Sequence, residues 1–356
     1  MKRFLNWRNA SMAFVAASLV VLAAGSDDPN APVDPENPPV VEVPGEDLEA
    51  IVKELAEKYF FIEDAEFVKG EFPQGTTSTN LEGITINNKA LTGGMNYVTV
   101  VSAVKYDEFY VGIAGVDGYF KFRPNPENIA FDEDTYMYTF TVPMVFGPDY
   151  NINITVLISA MMPDGYVTPT VEETVEHVES LPGDLHVNLT FNNEKDVDLH
   201  LITPDGTRIY YGNRGGSVEL SDNSVIEYGL DHDSNAACNI DGLNNENIVI
   251  PAALIQPGLY TVIVDMYANC DPSIATSWSV VTRYKDAIIP ASSGSNPVSG
   301  TYPAYAPSGD QTVVMQFEIT DGESSSRSAD RLKVKEGTFK ATPLNKFDLL
   351  KLEWNQ

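Results

Sequence analysis

The chain has 356 residues, 43% of them hydrophobic and 10% aromatic, and a formal charge of −29. Length and apolar share allow two ordinary domains with real cores. The charge excludes nucleic acid and anionic membrane surfaces as partners, since both would repel it, and suits divalent cations, basic partners or plain solubility.

Residues 1–25 read as an export signal. Lys2, Arg3 and Arg8 form a basic start, and residues 12–24 are an apolar stretch too short to span a bilayer. No later stretch is long and apolar enough for a transmembrane helix. The stretch ends in "LAAG" followed by "SDDP". This resembles the lipoprotein box and export tag of Bacteroides-type surface lipoproteins, with Gly25 where the lipidated cysteine would stand. The resemblance implies the cell surface or the periplasm. Ala23 and Gly25 equally suit ordinary signal peptidase, so a lipid anchor stays open.

Residues 26–45 hold six prolines and five acids and should form an extended linker. "EDLEAIVKELAEKYFF" then carries Leu48, Ile51, Leu55 and Tyr59 at helical spacing, which predicts one short amphipathic helix. That helix opens a first domain over residues 46–180. In "NINITVLISA" the residues Ile152, Ile154, Val156 and Ile158 alternate with polar ones, and Tyr136, Tyr138, Phe140 and Val142 do so in "TYMYTFTVPM". Period two, broken by "GVDG", "NPEN" and "FGPD", predicts an immunoglobulin-like antiparallel sandwich. The acidic "VEETVEHVES" reads as a short helix or a connector.

A second domain should cover residues 183–321. "DLHVNLTF" places Leu185, Val187, Leu189 and Phe191 on one face. "DVDLHLITPDGTRIYY" is a strand, a Pro-Asp-Gly turn and a returning strand. "GLYTVIVDMY", "SWSVVTRY" and "TVVMQFEIT" supply three more strands. The predicted fold is therefore mostly β: two tandem antiparallel β-sandwiches with one short N-terminal helix. Residues 322–356 read as a tail, partly disordered or forming an edge hairpin.

Chemistry concentrates in the second domain. Alternation sends Val197, Leu199 and Leu201 inward and aligns Asp196, Asp198 and His200 on the opposite face, alternate residues about 7 Å apart. Carboxylates so close repel each other unless solvent or a cation neutralises them. Asp231, Asp233 and Asn235 have the spacing that opens an EF-hand loop, but Ala236 and Gly242 stand where its glycine and bidentate glutamate belong. A calcium site gathered from separate loops needs six to eight oxygens. Its candidates are Asp196, Asp198, Asp231, Asp233, Asn235 and Glu246. Cys238 and Cys270, the only cysteines, most simply join as a disulfide in an exported chain. The stretch from 229 to 248 is thus expected to be a stapled loop, with calcium or with solvated turns as its further content.

The run "DVDLHLITPDGTRIYYGN", then "GLDHD", "ENI" and "PGLYTVIVDMY", resembles a bacterial domain family of unknown function found in exported proteins. The match covers roughly residues 183–270. It implies a β-rich exported domain and no particular activity. This sequence departs from the pattern by inserting "SNAACNIDGLNN" before Glu246.

Tyr210, Tyr211, Asn213 and Trp278 form a second candidate set, for stacking on a glycan, against the simpler reading that these aromatics fill a core. No His-Glu-x-x-His, Gly-x-Ser-x-Gly or phosphate-loop motif occurs. The expectation is a non-catalytic protein of the cell envelope with an adhesive, scaffolding or ligand-binding role. Its partner would be a protein or a glycan at the cell surface, and its cofactor a structural calcium ion. A carbohydrate-binding module for glycan uptake is the alternative, and a hydrolase comes third.

Overall fold

The computed structural model describes residues 48–320, apart from residue 221. The expected export signal, linker and C-terminal tail lie outside the described residues. Within them the protein is mostly β: one α-helix, Leu48–Lys58, precedes 22 strands in four sheets. Strong helix formers fill "LEAIVKELAEK". Of the expected stripe Ile51, Leu55 and Tyr59 are half-buried and Leu48 is 40% exposed, while the fully buried residue is the neighbouring Val52. No helix among the described residues is long and apolar enough to cross a membrane.

A five-stranded and a six-stranded sheet draw all their strands from residues 60–178. In Ile154–Met161 the expected alternation holds for Ile154, Val156 and Ile158, all buried, while Ile152 lies before the strand and is exposed. In Met137–Phe146, Phe140 and Val142 are buried. Tyr136 instead sits in the preceding turn at φ 55° and is 72% exposed. Rings join the two sheets: Phe109 meets Phe140 at 5.3 Å, and Phe60 meets Phe120 at 5.7 Å. The acidic "VEETVEHV" is neither helix nor connector. It is the strand Val171–Val178, antiparallel to Ile154–Met161. Glu172, Thr174 and Glu176 face out while Val175 is buried, a period of two that the acidic composition hides.

Residues 185–319 supply a seven-stranded and a four-stranded sheet. Leu185, Val187, Leu189 and Phe191 of the first share one core with Val197, Leu199, Leu201, Val262, Val264 and Phe317 of the second. The Pro-Asp-Gly turn forms as expected, with Thr203 N–H donating to Thr207 O at 2.9 Å and Gly206 at φ 84°.

The far face of Leu185–Phe191 is buried as well, because the strands of residues 60–178 pack there. Met95 N–H donates to Asn188 Oδ1 at 3.0 Å. Asn87 Nδ2 donates to Phe191 O at 3.0 Å. Arg283 donates from Nε to Gly93 O and from Nη2 to Phe146 O, each at 3.0 Å. A side chain at position 94 would place its Cβ 2.9 Å from Asn188 Oδ1, so only glycine lets the backbones approach this closely.

Candidate metal centre

Two sheets and one loop converge on Asp198. Its strand, Asp196–Ile202, pairs with Gly258–Ala268 and sets Asp198 opposite Asp265. The register shifts between Asp196 and Asp198, so the two acids do not continue a regular row. Glu246 comes from Asn245–Ile250 in the other sheet. Its Oε2 accepts the Leu199 N–H at 2.6 Å, tying the sheets together. Asp233 arrives on the loop after Val225–His232, held by Arg214 Nη1 at 3.0 Å from Oδ2.

Ligand atoms of Asp198, Asp233 and Glu246 lie within 4.8 Å of one another. Asp198 and Glu246 are buried, and Asp198 Oδ2 and Glu246 Oε1 have no hydrogen-bond partner. Asp233 is the most open of the three, its side chain 13% exposed. Two like charges at that spacing repel by about 3.5 kcal/mol at an effective dielectric of 20, so three such pairs would not stay bare. Either protons or a cation must neutralise them. Burial, then the charges of Asp196, Asp265 and Asp233, push the Asp198 carboxyl up to about 8. Burial, then Asp198, holds Glu246 well above the usual range. Burial raises Asp196 to about 6, although its Oδ2 accepts the Ala237 N–H at 2.8 Å.

The stretch "SNAACNIDGLNN" continues the loop that presents Asp233. Cys238 and Cys270 are joined, as expected, with Cα atoms 5.7 Å apart. Asn235, Ala237, Cys238 and Asn244 all have positive φ, a costly backbone for side-chain-bearing residues. Side chains hold it in place. Asn235 Nδ2 donates to Lys195 O and to Asn244 Oδ1, both at 2.8 Å, while its Oδ1 accepts Asp241 N–H at 3.0 Å. Lys89 Nζ donates to Asp241 O and Asn244 Nδ2 to Asn87 Oδ1, which docks the loop on the strands of residues 60–178.

Of the expected ligands, Asp198, Asp233 and Glu246 come together, with Asp196 near enough for its charge to raise Asp198 while its own Oδ2 accepts the Ala237 N–H. Asp231 does not join them. The register shift between Leu230 and His232 ends the regular alternation, and Asp231 Oδ2 instead accepts Leu181 N–H at 2.8 Å and Asn247 Nδ2 at 3.3 Å. Asn235 also stands apart, since its amide is engaged in holding the loop. Sequence reasoning missed Asp265, which lies opposite Asp198. Its signal was an acid inside the apolar run "TVIVDMY". Gln311 Nε2 donates to Asp265 Oδ2 at 2.7 Å.

The aromatic set divides. Trp278 is a core residue, 7% exposed and in one cluster with Val280 and Tyr302, so it is not a surface contact. Gly300 makes room for it, since a Cβ there would lie 2.3 Å from the indole. Asn213 closes a turn by donating from Nδ2 to Arg208 O at 2.8 Å. Tyr210 packs between His200 at 5.2 Å and Tyr211 at 4.9 Å. Tyr211 and Tyr267 are each 41% exposed and meet at 4.8 Å. Neither the protein-family models nor the curated proteins compared with this chain include a match.

Proposed function

We propose that this chain is an exported, non-catalytic protein of the cell envelope, with tandem β-sandwiches serving an adhesive or scaffolding role and a buried calcium ion holding the second one together. One observation carries the reading. Two buried carboxylate oxygens without partners, Asp198 Oδ2 and Glu246 Oε1, belong to a three-acid group whose ligand atoms lie within 4.8 Å. An all-oxygen, carboxylate-rich set suits calcium, which tolerates irregular geometry, and water or backbone carbonyls would complete its shell. Export agrees with the disulfide, because such bonds persist in oxidising compartments. The ion would join the two sheets and the stapled loop in one place, which is a structural task.

The test is thermal unfolding of the full chain in calcium and in EDTA. Calcium at 100 times its dissociation constant should add roughly 2.7 kcal/mol. The shift should vanish in Asp198→Ala. An unchanged melting temperature in wild type would sink the reading.

A second reading, a surface that binds a neutral glycan, is favoured by the exposed Tyr211–Tyr267 pair, since sugar rings stack on open aromatic faces. A glycan array with wild type and Tyr211→Ala/Tyr267→Ala tests it: selective binding lost in the double variant supports the reading, and an empty array removes it.

A further inference from the structure

Asp198 belongs to two groups of metal-ligating side chains. Besides Asp198, Asp233 and Glu246, the ligand atoms of Asp198, His200 and Asp265 also lie within 4.8 Å of one another. The His200 imidazole is fully buried, and its Nε2 has no hydrogen-bond partner. It faces Asp265 Oδ2 across 4.0 Å. By residue type alone this second trio suits zinc or cobalt, which take imidazole readily.

The opposite side of the ring decides otherwise. Arg208 brings Nη2 to His200 Nδ1. A guanidinium only donates and keeps its proton in proteins. Nδ1 must therefore accept, and the neutral ring carries its single proton on Nε2. A protonated Nε2 has no lone pair to offer a metal. Arg208 is held in this position from several sides. Its Nη2 also donates to Gln311 Oε1 at 3.1 Å, and its guanidinium lies 4.8 Å from the centre of the Tyr210 ring.

We propose that Arg208 sets the metal specificity of this centre: by donating to His200 Nδ1 it keeps Nε2 protonated, removes the imidazole from coordination and leaves an all-oxygen site that takes calcium and rejects zinc and cobalt. The inference rests on the calcium reading of the same centre. Arg208 touches no proposed ligand oxygen and acts through His200, so it is a positioning residue. His200 then points an N–H, rather than a lone pair, toward the carboxylates.

Two measurements on the full chain test this. Nitrogen-15 spectra of the wild-type imidazoles should show His200 as the Nε2–H tautomer, unchanged by zinc. In competition experiments wild type should keep calcium against equimolar zinc and show no nitrogen-ligand absorption with cobalt. Arg208→Met should raise zinc affinity relative to calcium by about tenfold or more, and adding His200→Gln should abolish that gain. An Nδ1–H or zinc-bound His200 in wild type overturns the proposal even where Arg208→Met does not fold. So does a folded Arg208→Met with an unchanged zinc-to-calcium ratio. Wild type that binds no calcium, with the Nε2–H tautomer in place, would overturn the calcium reading and leave the tautomer lock standing.

Discussion

Glu246 and Asp198 should affect stability with opposite signs in the two states of the centre. Without a cation burial forces both acids to hold protons that the unfolded chain gives up, a cost that Glu246→Gln does not bear, so this variant, which retains an oxygen for the Leu199 N–H, should melt higher than wild type in EDTA. With calcium the same substitution removes a ligand and should melt lower. A variant that falls below wild type in both conditions would place Glu246 in the fold alone. The pH dependence follows from the same acids. Asp196 and Asp198 are raised from 3.8 to about 6 and about 8. The metal-free folded state thus holds protons that the unfolded chain has already lost, and stability should fall as pH rises from about 4 to about 8. Calcium needs the deprotonated acids, so its stabilisation should grow over that range. Melting at about pH 5 and about pH 8, with calcium and with EDTA, should show a gap that widens with pH; a constant gap would count against the centre.

The stapled loop follows Asp233, the one acid of the candidate centre that no strand carries. Closing a loop between residues 32 apart is worth about 3–4 kcal/mol through the entropy of the unfolded chain. The staple also steadies a backbone with four positive-φ residues that carries Asp233 to the site. Cys238→Ser/Cys270→Ser should therefore unfold at lower denaturant and also bind calcium more weakly. Calorimetric titration separates these effects, since equal affinity in the folded variant would show that Asp233 is placed without the staple. Most strands were legible because hydrophobic alternation is local, as in Leu185–Phe191 and Gly258–Ala268. Val171–Val178 was not, because a single fully buried residue, Val175, marks its inner face.

Across the molecule, the strands of residues 60–178 and of 185–319 are joined by polar groups that no local pattern announces. Arg283 satisfies two backbone carbonyls of the preceding half, and burial lowers its own pKa to about 10. Arg283→Ala should leave both carbonyls unmatched at roughly 1–3 kcal/mol each. Arg283→Lys should recover part of the loss, lacking the planar fork. Scanning calorimetry should show one transition in wild type and two, or one broadened, in Arg283→Ala. A single sharp transition in the variant would mean that apolar contacts such as Met95 with Val281 suffice.

Amino-acid order alone determined that the chain is mostly β, where most strands run, and that Cys238 and Cys270 are partners. These features depend on near neighbours in sequence or on there being just two cysteines. Order also narrowed the centre to a set containing Asp198, Asp233 and Glu246. Tertiary structure decided which acids meet. Asp231 and Asp233 differ by two positions, yet a register shift sends them to different surroundings. Asp265 enters only through strand pairing, and Trp278 leaves the surface because a second sheet covers it. Whether a carboxylate turns toward a neighbour on a distant strand depends on register, bulges and packing, which are set by the whole fold.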